Sequence, residues 1–543
     1  MFFKSVFLNF SSIFFQIFQQ IRKIYLNSPI YNKKISKIDD KTIIYKPSQS
    51  ILNCLIKFDK KKNNIEDFSL NSIWKNSSNL NRKNFKKLHN FFWLFTLDLR
   101  SSQKITQNVI YNWIAENDKY KKDIWDLDVL SKRIIAWIAN SKLTYEDAEI
   151  KYKLHFNGLI KKQTNHLINE INRSEKLEDK IIGSTPIILV GLTYGDNYYL
   201  KFGIDLLKQL LNFSLDTSNF PKSRNIRQMV FYLKYLIVIR ELLKESQTNI
   251  PDFLDEIIFY LGKSYNLLCS NKKNGILFNG NFEDSNNEFD SYLNLHKYKF
   301  KDDVNEAGGY VLLKNKKSVL VMDLGKVPDK KFSKDYQAGL FSFEFNFLGE
   351  KVITNSGYFQ DYKHQLNIIS KSTATHSTLV LDNTSNVKFE RDKHGYMLVN
   401  KNYKILDKEI KSEKNFWLIK ASHDAYSKSY GVVHERQIQF FHNSQKLEGY
   451  DKLIKTRNFK SCNFAIRFHL LPEINLTKLL NNESILIESK NAGWKFTCKN
   501  HKIDIETGLY FGMKNKYLEN KNILIVGLTK PEEQNIFWEI SKI

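Results

Sequence analysis

Between roughly Asn81 and Lys273 apolar residues return at every third or fourth position. Leu130, Ile134, Trp137 and Ile138 share one helical face, as do Leu200, Ile204, Leu207 and Leu211. Ile226, Val230, Leu233 and Ile237 make a third stripe, and Phe253, Ile257, Tyr260 and Leu261 a fourth. That spacing predicts successive amphipathic helices. Asp196 after Gly195 reads as an N-cap, and Pro251-Asp252 opens the next helix. A bundle, a solenoid and an α/α toroid all carry this local pattern.

After about Asn274 the period falls to two. Phe341, Phe343, Phe345 and Phe347 alternate with Ser342, Glu344 and Asn346, and Phe464, Ile466, Phe468 and Leu470 alternate with Ala465, Arg467 and His469. Half-buried strands are expected there. Lys314-Asn315-Lys316-Lys317 and Leu348-Gly349-Glu350 supply turns between them. Many short strands running to Ile543 predict an antiparallel sandwich. Helices first and strands afterwards give an α+β multidomain chain, not a βαβ one. The expected divisions are an N-terminal amphipathic or extended segment at 1–80, a helical domain at 81–290 and a sandwich at 300–543.

Composition alters this picture in three places. The 543 residues exceed what a single core serves. Lys and Arg outnumber Asp and Glu by 83 to 58, a formal charge of +25 that favours polyanionic partners without choosing among them. Cys54, Cys269, Cys462 and Cys498 are too far apart for a metal knuckle or a disulfide framework, so buried thiols are expected. The Phe-rich run around Val6–Phe18, with Lys4 before it and Arg22 and Lys23 behind, is broken by Asn9, Ser11, Ser12 and Gln16. It is too short and too polar to span a bilayer and has no small-residue cleavage site before Tyr25. The expectation is an amphipathic helix on a partner or a membrane surface, within residues 1–30.

No GxGxxG, Walker loop, HExxH or GxSxG occurs, so no cofactor is expected. No nucleic-acid-reading motif occurs either, and nucleic acid is not an expected partner. A different set of fragments is collinear over nearly the whole chain. In the helical half these are Phe92–Leu99, Trp125 with Leu130–Ile138, and Phe220-Pro221-Lys222-Ser223-Arg224-Asn225. In the strand half they are Glu306–Tyr310, Val321–Gly325, Ala338–Glu344, Asn355-Ser356-Gly357 and Ala374-Thr375-His376-Ser377-Thr378-Leu379. Together they resemble the heparinase II/III family.

The resemblance implies a helical toroid followed by a β-sandwich, acting by β-elimination on acidic, glycosaminoglycan-like polysaccharide in the cell envelope or periplasm, with the cytoplasm as the alternative because the N-terminus shows no convincing cleavable signal. A lyase must neutralise the uronate carboxylate, remove the neighbouring proton and protonate the leaving oxygen. Carried over residue by residue, the family's Asn-His pair falls on Glu178-Asp179, and its Tyr on Gln228. Its His-x-His segment falls on Asp335-Tyr336-Gln337, and its Asp near Thr354-Asn355. Of the implied metal ligands only His376 is kept, so no firmly held zinc is expected.

Four residues remain as candidates for the chemistry. His376 reads as an acid/base, as a lone metal ligand or as a histidine bonded within a sheet. Arg224 reads as a fork for a substrate carboxylate or as half of an internal ion pair. Asn225 would donate to that carboxylate or cap the helix at Ile226, and Tyr336 would carry a proton or pack as an aromatic. His434-Glu435-Arg436 is expected in a surface or domain-junction salt bridge. Two readings stay open: a lyase, and a noncatalytic acidic-glycan-binding or envelope-assembly protein of the same fold.

Overall fold

The computed structural model describes residues 17–18, 20–36, 41–56, 74, 79–269, 275–283, 286–301, 303–401, 403–480 and 482–543. Most of the expected Val6–Phe18 run lies outside the described residues. The chain forms two compact units, and they interleave along the sequence. One comprises Met1–Phe213 and Tyr232–Ile258, the other Ser214–Phe231 and Phe259–Ile543. The short segment carrying Arg224 and Asn225 therefore packs with the strands, not with the helices that flank it.

The helical unit is built as its periodicity predicts. Asp196 Oδ1 accepts the Tyr198 and Tyr199 amides at 2.9 and 3.3 Å, capping Asn197–Ser214, and Asp252–Leu268 starts directly after Pro251. Helix Leu127–Ala139 is central instead of amphipathic: from Val129 to Ala139 only Lys132 escapes burial. Among the described residues Arg133 on this helix has no carboxylate partner. Its guanidinium lies 4.4 Å from the Trp113 ring centroid and donates to the His89 and Ile124 carbonyls at 2.9 and 3.1 Å. Aromatic and carbonyl contacts carry the charge here, at the end of a stack that joins Trp113 to Trp137 at 5.5 Å.

The second unit holds antiparallel sheets of five, eight, four and two strands among the described residues. The five-stranded sheet is a meander through Glu306–Ala307, Tyr310–Lys314, Ser318–Asp323, Phe343–Phe347 and Glu350–Ile353. Both predicted turns are present: Asn315 Oδ1 accepts the Lys317 and Ser318 amides, and Leu348 and Gly349 adopt φ +50° and +80°. The Phe341–Phe347 strand starts two residues late, since Phe341 is a left-handed turn residue at φ +60°. Nor is it half-buried. Glu344 points inward and meets Lys351 at 3.2 Å with both side chains fully enclosed, so this strand is covered on both faces.

The His434-Glu435-Arg436 expectation also needs correction. His434 and Arg436 occupy the inward positions of strand Val432–Phe441 and are wholly buried. Arg436 faces Asp451 across the ladder, with Nε–Oδ1 at 2.7 Å and Nη2–Oδ2 at 3.0 Å. His434 Nε2 and Trp538 Nε1 complete the carboxylate at 2.7 and 2.9 Å. The remaining guanidinium nitrogen donates to Phe341 O at 3.0 Å and Ser377 O at 2.8 Å. Those two carbonyls precede strands of the five- and four-stranded sheets, so one side chain ties three sheets together.

Removing one partner leaves a buried charge unmatched, which costs about 3–5 kcal/mol. Arg436→Met is accordingly expected to lower the denaturant midpoint sharply, and Arg436→Met with Asp451→Leu to regain part of that loss. Equal stability of Arg436→Met and the parent chain would contradict the network's role.

Candidate functional site

The site begins at Phe220–Asn225. Arg224 adopts φ +59°, a left-handed turn that sends its side chain under the sheet. Nε donates to Gly308 O at 2.8 Å, Nη2 binds Asp323 Oδ1, and the guanidinium lies 4.7 Å from the Tyr310 centroid. The Tyr310 hydroxyl returns a bond to Arg224 O at 2.6 Å. A Cβ on Gly325 would sit 2.0 Å from the guanidinium carbon, so only glycine leaves room for it. The fragments Glu306–Tyr310 and Val321–Gly325 are thus the walls of an arginine socket. Asp323 holds the guanidinium protonated despite its burial. Of the two readings for Arg224, its geometry is that of an internal ion pair.

Asn225 stands at the foot of helix Ile226–Glu245, where its Oδ1 accepts the Arg227 and Gln228 amides at 2.9 and 3.3 Å. Its amide group also donates to Asp335 Oδ2 at 3.1 Å, and Tyr358 donates to Asp335 Oδ1 at 3.1 Å. Asn225 is a cap that also positions a half-buried carboxylate. Gln228 accepts from Ser223 Oγ at 2.6 Å. Gln337 is enclosed, its amide donating to Gly357 O and Ser370 O at 2.9 and 2.6 Å and its oxygen accepting from Gly280 N at 3.1 Å. Tyr336 is fully buried, with its hydroxyl 2.9 Å from that of Tyr403, which donates to Gly325 O. Burial raises the Tyr336 pKa, so its proton is held tightly.

His376 lies before strand Leu379–Leu381, not within it, after the short turn Thr373–Thr375. Its Nδ1 donates to Ser372 O at 2.9 Å, while Nε2 is buried without a hydrogen-bond partner. A Cβ on Gly339 would lie 3.0 Å from that nitrogen, which fixes Ala338-Gly339 as the ring's floor. Burial pushes the His376 pKa down to about 4. His469, bonded to Ser356 Oγ and Ala374 O at 3.1 Å each, is pushed down to about 3 by burial and by His376. Asn355 gives its oxygen to the Ser377 amide at 2.9 Å. Among the described residues no three His, Cys, Asp or Glu side chains are grouped to hold a metal ion. One imidazole with an amide neighbour falls short of the three or four donors that the zinc implied by the resemblance would need.

Glu178 and Asp179 occupy the first turn of helix Leu177–Tyr194 in the helical unit, where carboxylates suit the helix dipole. Burial raises the Asp179 pKa. Three of the four candidates, Arg224, Asn225 and Tyr336, surround one locus with Asp323 and Asp335, and His376 lies apart from these bonds with His469. Sequence reasoning missed Tyr358 and Lys371. Lys371 is buried, donates to Met397 O at 2.8 Å and to Lys334 O, and has its pKa lowered to about 8 by burial despite nearby Asp335. Tyr358 directly follows the quoted Asn355-Ser356-Gly357, which was the available signal; Lys371 had none.

Two measurements check these placements. Arg224→Ala should destabilise the fold by about 3–5 kcal/mol, since it strands Asp323, whereas Asn225→Ala should cost about 1 kcal/mol as a lost cap. His376 and His469 are kept neutral when folded and take up protons when unfolded, so stability is full above about pH 6.5 and falls as pH drops toward 4. The slope is about 1.4 kcal/mol per pH unit for each ring. Urea midpoints measured across that window should decline, and His376→Gln should flatten the decline.

Residues 302–539 match the family model described as Heparinase II/III-like, C-terminal. A search of curated proteins by sequence finds no match. Among solved structures, the heparan sulfate lyase HepC from Pedobacter heparinus is similar at a TM-score of 0.67 and 13% identity, covering 94% of this chain and 87% of that one. A heparinase III gene product gives a TM-score of 0.69 at 13% identity, covering 85% and 79%, and another heparinase III gives 0.65 at 12%, covering 94% and 88%. From its helical first part to its antiparallel second part the chain has the toroid-plus-sandwich fold of these lyases, and its residues 302–539 are a heparinase II/III-like C-terminal domain.

Proposed function

We propose that this protein recognises an acidic, uronate-bearing polysaccharide of the cell envelope and works as a glycan-binding or assembly protein on a lyase fold. The observation carrying this reading is the closure of Arg224. Its guanidinium is spent on Asp323 and Gly308, so it has no free edge for a substrate carboxylate. Tyr336 and His376 are buried just as completely, one with a tightly held proton and the other with a nitrogen too weakly basic to be charged at neutral pH. The +25 charge supports a polyanionic ligand, and the similar solved structures are named as lyases of heparan sulfate or as heparinases.

Elimination is the second reading, and one pair of groups favours it. Asp335 is half-buried and lies 3.1 Å from the Tyr358 hydroxyl, an acid–base couple of the kind proton removal and return require.

Incubation with a panel of uronate polymers separates the two. Binding that weakens with added salt, with no rise in the ultraviolet absorbance of an unsaturated uronate, is the expected result. A rise in that absorbance, abolished by Asp335→Asn or Tyr358→Phe in protein that remains folded, would replace the binding reading with elimination.

A further inference from the structure

An amphipathic helix in the helical unit is oriented the wrong way for a soluble surface. The described helical residues at 20–26 continue into Pro29–Ile35, and this pair is anchored to helix Ile150–Glu170. Arg22 binds Glu170, the Tyr31 hydroxyl lies 2.7 Å from His166 Nδ1, and Asn165 donates to Ile35 O at 2.9 Å. Leu26, Tyr31 and Ile35 are buried by this docking. The opposite side is apolar too. Ile17, Ile21 and Ile24 are 52, 60 and 71% exposed, Phe18 is 48% exposed, and Ile30 is 75% exposed. The spacing of 17, 21 and 24 puts three isoleucines on one stripe facing away from the protein body.

Charge selects what covers that stripe. Up to Ile38 the sequence carries Lys4, Arg22, Lys23, Lys33, Lys34 and Lys37, and the first acidic residue is Asp39. Lys23, Lys33 and Lys34 are exposed on the same two helices. A second copy of this chain would bring these cations against one another, and a protein partner would need an apolar groove ringed by acidic side chains. An anionic bilayer surface satisfies both halves, with apolar side chains in the acyl boundary and lysines among phosphates. No helix among the described residues is long and apolar enough to cross a membrane, so this contact is peripheral.

We infer that Ile17–Lys34 is a membrane-surface docking element that holds the protein against anionic lipid, independently of what its other unit binds. The test is co-sedimentation of the full chain with phosphatidylglycerol-containing vesicles and with pure phosphatidylcholine vesicles. The full chain should pellet with the anionic vesicles and release as salt rises. Ile17→Glu with Ile21→Glu and Ile24→Glu should lower partitioning at least about tenfold, with an unchanged melting curve showing that the helix, anchored through Tyr31 and Arg22, still folds. Lys23→Glu with Lys33→Glu and Lys34→Glu should abolish the preference for anionic over neutral lipid. Equal partitioning of parent and triple-isoleucine variant would overturn the inference. So would a dimer that the isoleucine substitutions dissolve, or an intact mass showing the segment removed from the purified protein. Glycan binding reads out separately, so failure of either proposal leaves the other standing.

Discussion

The fully buried Arg436–Asp451 pair is the contact on which the β-rich unit depends. A guanidinium and a carboxylate in a dry interior are tolerated only when every remaining donor and acceptor is matched. Here Trp538, His434 and two backbone carbonyls complete the set. Because those carbonyls open strands of two other sheets, the charge pair fixes how three sheets register with one another. Hydrophobic packing of Phe343, Phe468 and Trp538 around it has little directional preference. The ion pair supplies that direction.

The same arrangement recurs twice nearby. Glu344 and Lys351 meet inside the five-stranded sheet, where Glu344 also accepts the Leu277 amide at 3.1 Å and the Thr354 hydroxyl at 3.0 Å. Arg224 and Asp323 fasten the Ser214–Phe231 segment beneath that sheet through glycines that admit the guanidinium. Each pair joins segments distant in sequence and satisfies backbone groups that strand ladders leave open. Polar residues that a motif comparison places at chemical positions are, in this chain, the fasteners of its interior.

Burial separates two kinds of polar residue in this fold. Proton-transfer groups need exposure to substrate and a pKa within reach of the working pH. Buried fasteners need neither, and they tolerate substitution poorly. Arg224, Tyr336 and His376 all belong to the second kind, while Asp335 is half-buried beside the buried Tyr358. Of the carboxylates bonded to these residues, Asp335 keeps partial exposure and Asp323 does not.

The sequence by itself determined the order of helices and strands, the Asp196 and Pro251 helix starts, the Asn315 and Gly349 turns, and the family resemblance of the strand-rich half. Periodicity, capping and turn chemistry are local, and each is written within a few consecutive residues. Through the resemblance it also set Gln228, Gln337 and Asn355 at the positions where the family pattern has its base and metal ligands. Only the tertiary structure decided which way each polar side chain faces. Arg224 and Asp323 are 99 positions apart, and Arg436 reaches Phe341 and Ser377 across 95 and 59. Whether such a residue meets substrate or an internal partner depends on long-range packing that no local pattern encodes. For the same reason alternation misjudged Glu344, since a strand covered on both faces buries its polar positions along with its apolar ones.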